Sequence, residues 1–235
     1  MHLTALKNGK LFFETYTKHL KKGTVIDIGA QDFNGSLKLV CPEHLTYIGV
    51  DLEPGKGVDI VLENPYKLPF DNDSVDIICS SSCFEHTEFF WESFLEVLRV
   101  LKPEGLFYLN APSNGPFHQY PMDFWRFYPQ SGISLVNWAK KNSYQPMLLE
   151  SYISHQYFDY WNDFTAVFLK DNSKKNNYTK RILHSIKNFY NGIIDNNFND
   201  IINHKFMSQD QSTVSWFFKK VKWKLLNLIG LKPTV

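Results

Sequence analysis

The chain has 235 residues, 43% hydrophobic and 21% charged, enough for one full core and a small appendage but not for two large domains. No apolar run reaches the roughly 18 residues that a membrane span needs, and residues 1–16 mix charged with apolar side chains where a secretory leader is purely apolar, so a cytoplasmic protein is expected. The net charge of +1 hides an asymmetry: residues 171–235 carry eleven Lys and Arg against four Asp, leaving an acidic body that argues against nucleic-acid binding and a basic tail.

Leu6, Phe12, Phe13, Tyr16 and Leu20 recur at near-helical spacing and predict a helix over residues 4–21, packed across the domain C-terminal to it. Residues 24–28, 47–51, 58–61, 75–79 and 106–109 are short β-branched or aromatic runs without clean alternation, the pattern of strands buried on both faces. Between the last two, Phe90, Phe94, Val97, Leu98 and Leu101 repeat every three or four residues, predicting a helix over 88–101 that covers one side of a sheet and stops at Lys102-Pro103-Glu104-Gly105. A helix at 132–141 and extended segments at 146–153 and 164–169 complete the set. This alternation predicts an α/β fold, a doubly wound, mostly parallel seven-stranded sheet with flanking helices.

The polar run Asp171-Asn172-Ser173-Lys174-Lys175-Asn176-Asn177 is read as a boundary between a domain over residues 1–170 and a basic helical C-terminal extension over 171–235. Within the extension, Trp216 to Ile229 mixes Phe, Trp and Leu with Lys. Such a helix either lies peripherally on an anionic membrane at its inner face, or packs on the domain or on the second subunit of a homodimer. Cys41, Cys79 and Cys83 are odd in number, and the CxxxC spacing of the last two fits neither a zinc knuckle nor a CxxC redox pair, so they read as reduced thiols; no metal ligands are assigned.

The first strand runs into Asp27-Ile28-Gly29-Ala30-Gln31-Asp32-Phe33-Asn34-Gly35-Ser36, and a glycine at a strand end lets backbone approach a ligand. The second ends in Asp51, where a carboxylate can accept both hydroxyls of an adenosine ribose; alternatively, Asp and Gly here serve only as turn residues. These two stretches stand in order with Leu68-Pro69-Phe70-Asp71-Asn72-Asp73-Ser74-Val75-Asp76 and with Leu98-Arg99-Val100-Leu101-Lys102-Pro103-Glu104-Gly105. The ordered set over residues 23–170 resembles the class I S-adenosylmethionine (SAM)-dependent methyltransferases of the type 11 group, which read DxGxGxG, an acidic residue after strand 2, LPFxDxxFD and LRVLKPGG. The resemblance implies a Rossmann-like domain with SAM as cofactor. It further implies that Asp27, Gly29 and Ala30 lie at the methionine end, Asp51 at the ribose and Leu52 beside the adenine, with Gln31 also among the cofactor-binding residues. Asn64 takes the place of an adenine-contacting Asp, and Ser80 and Ser81 border the methyl group. Gln31 and Phe33 stand where the family has its second and third glycines, which implies a differently shaped loop and argues against NAD, whose pyrophosphate needs that close approach.

After the fifth strand, residues 110–129 concentrate aromatic, His, Asp and Arg side chains on a loop that must emerge where ligands of such sheets bind. The stretch His118-Gln119-Tyr120-Pro121-Met122-Asp123-Phe124-Trp125-Arg126-Phe127 resembles an HxxPxDxWRF segment of methyltransferases found alongside enzymes of bacterial surface-polysaccharide synthesis, implying a carbohydrate or phosphorylated acceptor. Methyl transfer to a hydroxyl needs the acceptor positioned and its proton removed. His86 and His118 are the candidate bases, His86 alternatively being a helix neighbour fixed by Glu85 or Thr87. Arg126 either clamps an anionic acceptor, with Asp123 orienting it, or pairs with Asp123 only to hold the loop; Phe124 and Trp125 either stack on the acceptor or form loop core. Two readings stand: an O-methyltransferase of surface-glycan biosynthesis, and a catalytically inactive SAM-binding module in a biosynthetic complex.

Overall fold

The computed structural model describes residues 2–156, 161–206 and 213–228. In chain order these form α1 (Leu3–Tyr16), β1 (Gly23–Ile28), β2 (Leu45–Asp51), β3 (Ile60–Val61), β4 (Val75–Ser81), α2 (Phe90–Val100), β5 (Leu101–Pro112), α3 (Pro129–Lys141), β6 (Met147–Ser154), β7 (Asp163–Leu169), β8 (Phe189–Ile194) and α4 (Thr213–Leu228). The strands make one sheet in the order β3-β2-β1-β4-β5-β7-β6-β8. The first five pair in parallel, whereas β7 runs antiparallel to both β5 and β6, and β8 antiparallel to β6.

Neighbouring residues on each central strand feed opposite layers, as the period of two requires. Ile26, Ile78 and Phe107 pack with Phe94, Val97 and Leu98 of α2 and Leu135 and Val136 of α3. Val25, Ile77 and Tyr108 face Phe12, Phe13 and Tyr16 of α1. Covering on both faces explains why these strands read as unbroken apolar runs. Helix α1 closes five residues earlier than its periodicity predicts, with the Thr17 hydroxyl donating to Phe13 O (2.8 Å) at its C-terminal end.

The sheet has eight strands where the sequence predicts seven, and the additional one lies beyond residue 170. Within the segment read as a helical extension, Phe189–Ile194 adds β8 to the sheet edge, while Tyr178, Ile182, Leu183 and Phe189 join the α1-side core. Glu150 on β6 fixes this segment: its fully buried carboxylate accepts Ile182 N (2.7 Å), Leu183 N (2.9 Å) and the Tyr16 hydroxyl (2.6 Å). Polar residues 171–177 are therefore a surface turn before the final strand, not the end of the sheet. Helix α4 lies where a tail helix is predicted and exposes Phe217, Phe218, Trp223, Leu225 and Leu228. The Trp216 and Asn227 side chains and Ile229, which belong to that predicted helix, fall outside the described residues. No helix among the described residues is long and apolar enough to cross a membrane. The three cysteines are free thiols.

Candidate active site

A cleft of about 530 Å³ opens at the carboxyl edge of β1, β2, β4 and β5, where the parallel strands end together. Its floor at one end is the turn after β1. Gly29 sits at φ +80° and a side chain there would meet Cys83 Cβ at 2.5 Å, so the turn and the loop after β4 close on each other only because residue 29 has no Cβ. Gly29 N (3.0 Å) and Ala30 N (3.2 Å) donate to Val50 O and pin the turn to β2.

The loop that lacks the family's later glycines is shaped by side chain to backbone bonds. Gln31 N donates to Asp51 Oδ2 (3.1 Å), Gln31 Nε2 to Pro54 O (3.2 Å), and Asp32 Oδ1 accepts Gly35 N (2.7 Å). Phe33 is turned out to the cleft mouth, where its ring meets Tyr120 edge-on at 4.8 Å. Asp51 also accepts Leu52 N at Oδ1 (2.7 Å); each of its oxygens thus holds one N–H and keeps a second lone pair for a ligand.

Asp27 lies 3% exposed at the bottom of the cleft and accepts the Tyr47 hydroxyl. Burial raises its carboxyl pKa to about 7 against the pull of that hydrogen bond, with the Asp51 charge adding to the rise. Between about pH 4 and 7 the unfolded chain ionises at this residue while the folded chain stays protonated, so its contribution to stability falls as pH rises through that window and levels off above it. Asp27→Asn, which keeps an acceptor for Tyr47, is expected to gain stability over the parent by a few kcal/mol at pH 8 and little at pH 4. Thermal unfolding of the two proteins across that range checks it, and a gain that does not grow with pH contradicts the assignment.

Of the cofactor residues predicted from sequence, Asp27, Gly29, Ala30, Gln31, Asp51, Leu52 and Ser81 line the cleft. The Ser81 hydroxyl is buried and has no hydrogen-bond partner among the described residues. Two do not belong there. Ser80 turns the other way and donates to Ile28 O (3.1 Å), bracing β4 on β1. Asn64 is exposed, accepts Tyr66 N (2.8 Å) in its own turn and does not line the cleft.

The other end of the cleft gathers Glu85, His86, His118, Tyr120 and Trp161. Three short features bring them together: the one-turn helix Phe84–His86 after β4, the loop after β5, and the approach to β7. The His86 and His118 rings meet edge-on with centroids 4.9 Å apart. His86 Nδ1 bonds Met122 O, and burial lowers its pKa. Glu85 is 1% exposed; burial raises its pKa to about 8, and its Oε2 has no hydrogen-bond partner among the described residues. Sequence reasoning treats Glu85 only as a neighbour of His86, since nothing in the local pattern marks it as buried beside a residue 33 positions away.

Asp123 and Arg126 do not line the cleft. Arg126 donates Nη1 to Asp123 Oδ1 (2.5 Å), Nη2 to Asp123 Oδ2 (2.7 Å), and further bonds to Trp125 O and Pro116 O. Burial works against ionisation of Asp123, but Arg126 and the N–H of His118 (2.8 Å) outweigh it and hold its pKa at about 2. Both terminal nitrogens of the guanidinium are engaged by its own loop, which favours the loop-holding alternative over a phosphate clamp; the pair braces residues 116–126 behind His118. Trp125 likewise is loop core, packed on Phe90 and Trp91 with Nε1 donating to Thr87 O (3.1 Å). The aromatic walls of the cleft are Phe33, Tyr120 and Trp161.

Residues 15–109 match a family described as methyltransferase domain. An uncharacterized methyltransferase of Mycobacterium tuberculosis (strain ATCC 25618 / H37Rv) is 32% identical over 132 residues, 51% of this chain and 51% of that protein, so the chain spans about half the length of this curated relative. The 1,6-didemethyltoxoflavin-N1-methyltransferase of Burkholderia thailandensis, solved with S-adenosylhomocysteine and 1,6-didemethyltoxoflavin bound, aligns at a TM-score of 0.54 and 14% identity over 72% of this chain and 79% of that one. The [4+2]-cyclase SpnF aligns at 0.53 and 11%, over 71% and 81%. At these identities the two structures share the fold; their differing reactions leave the chemistry to the residues of the site.

Proposed function

We propose, from the premise that residues 15–109 carry a class I SAM-dependent methyltransferase domain, that the chain transfers the methyl group of SAM to a hydroxyl of a small acceptor, a carbohydrate being favoured. What carries this reading is one cleft with a cofactor end of Gly29, Asp51 and the unpartnered Ser81 hydroxyl and an acceptor end of two histidines and a buried carboxylate.

The cofactor end fits SAM. Asp51 keeps free lone pairs for the ribose hydroxyls, the Gly29 turn brings backbone to the ligand, and Ser81 supplies an orphaned polar group. Burial holds the Asp27 pKa at about 7, and a nearby cationic group favours its ionised form, which suits a ligand bearing ammonium and sulfonium charges. When bound, SAM supplies a methyl group already activated by the positive charge on sulfur. The chain's own task is then to exclude water, align the acceptor oxygen with that carbon and let its proton leave.

Phe33, Tyr120 and Trp161 offer flat apolar walls of the kind that cover a sugar ring, while the occupied state of Arg126 disfavours a phosphorylated acceptor. The segment from His118 to Phe127, with its resemblance to enzymes associated with surface polysaccharides, supports the same acceptor class.

The test is formation of S-adenosylhomocysteine from SAM on addition of sugars and nucleotide sugars. His118→Ala is expected to lower kcat by about 100-fold or more while leaving SAM affinity within about twofold of the parent. Full turnover in that variant contradicts the role of His118. Tight SAM binding with no product from any acceptor favours instead a SAM-binding module without catalysis, the reading prompted by Gln31 and Phe33 in place of glycines.

A further inference from the structure

Glu85, His86 and His118 present one oxygen and two nitrogens that lie within 4.8 Å of one another at the acceptor end of the cleft. From this convergence we infer that the three residues form a binding site for a divalent first-row transition metal ion, which holds the acceptor hydroxyl. The inference rests on the methyltransferase reading and deepens it by assigning the acceptor-binding element.

The donor set comes first. Two imidazoles and one carboxylate suit Zn²⁺, Mn²⁺, Fe²⁺ or Co²⁺ better than Mg²⁺ or Ca²⁺, which prefer oxygen. Three protein ligands leave positions open, the arrangement of a catalytic rather than a structural site. Glu85 adds an independent observation. Its carboxyl group is 1% exposed and its Oε2 has no hydrogen-bond partner among the described residues, an orphaned polar atom that a ligand would satisfy, and no Lys or Arg among those residues forms an ion pair with it. His86 Nε2 lies 3.8 Å from its Oε1.

The outer contacts have the form that metal-ligating histidines need. His86 uses Nδ1 on the Met122 carbonyl, which leaves Nε2 as its remaining donor. His118 has Nδ1 at 3.4 Å from both Asp123 Oδ2 and Arg126 Nη2; with its Nδ1–H turned to the carboxylate, Nε2 is left as its remaining donor, and Asp123 is itself locked by Arg126. Thus Asp123 and Arg126, which do not touch the cleft, orient a ligand from behind. Donors about 2.1 Å from an ion stand about 3.0–3.5 Å apart, so occupation requires the three side chains to close inward by about 1 Å.

A bound cation gives the methyl transfer a proton path that neither histidine need supply as a base. The acceptor hydroxyl coordinates the ion in an open position and releases its proton to solvent. The alkoxide lone pair then forms the O–CH₃ bond as the CH₃–S bond breaks, and that electron pair returns to sulfur, leaving neutral S-adenosylhomocysteine, the methyl ether and one proton.

The test uses the full chain stripped of metal by a chelator and titrated with Co²⁺, followed by visible absorption, and with Zn²⁺, followed by calorimetry. One saturable site per chain is expected, with affinity falling at least about tenfold in both His118→Ala and Glu85→Gln and unchanged in His184→Ala, which removes an exposed histidine outside the cleft. SAM affinity measured on the same samples reports whether each variant is folded. Absence of a saturable site, or equal metal affinity in the parent and in folded His118→Ala and Glu85→Gln, overturns the inference. So does methyl transfer that proceeds at the same rate with and without excess chelator, an outcome that leaves the proposed function standing. Loss of SAM binding in the parent protein would instead remove the proposed function itself.

Discussion

Asp51→Ala is expected to weaken SAM binding about 30-fold or more. The parent carboxylate ends β2 inside the cleft with a free lone pair on each oxygen, and two charge-assisted hydrogen bonds to a ribose each contribute about 1.5–3 kcal/mol when the acceptor is ionised. Alanine removes both. It also releases Gln31 N and Leu52 N, the two backbone donors through which Asp51 shapes the loop after β1. Asp51→Asn separates these effects, since an amide keeps one acceptor and loses the charge, so an intermediate affinity is expected. Calorimetric titration reads both variants, and an unchanged dissociation constant in Asp51→Ala removes the ribose assignment.

The largest loss of stability is expected from a residue outside the cleft. Glu150→Ala leaves Ile182 N, Leu183 N and the Tyr16 hydroxyl buried without an acceptor and opens a cavity between α1 and the segment before β8. Each stranded donor costs about 1–3 kcal/mol, which together with lost packing gives about 3–5 kcal/mol and a fall in Tm of about 10 °C or more. Hydrogen exchange should show residues 182–194 losing protection first, because Glu150 ties them to the sheet. A variant with parental Tm and parental protection over that stretch would mean that β8 is a dispensable edge.

That strand also shows where sequence reading stops. The first seven strands are legible because each lies in a stretch whose apolar runs, covered on both faces, stand apart from the helical repeats between them. The eighth, Phe189–Ile194, sits among Asn and Lys residues, and what holds it is a carboxylate on a strand some 40 positions earlier, a contact that no local pattern encodes. The same division runs through the site. Gly29 and Asp51 are readable because a chemical requirement coincides with a strand end. Ser80 and Ser81 are adjacent in sequence and differ only in which way the strand turns them: one braces β1 and the other faces the cleft. Arg126 looks like an anion clamp until its hydrogen bonds are traced, when both terminal nitrogens prove to be engaged by its own loop. In one dimension Glu85 is only a neighbour of His86. It becomes a candidate ligand only because the loops after β4 and β5 converge on it.

The central claim is that the cleft at the carboxyl edge of the sheet binds SAM. Its most direct test is calorimetric titration of the full chain with SAM and with S-adenosylhomocysteine, with NAD as control. Saturable one-to-one binding of both adenosyl ligands, without binding of NAD, is the predicted result. Failure of either adenosyl ligand to bind, or binding of NAD with comparable affinity, would contradict it.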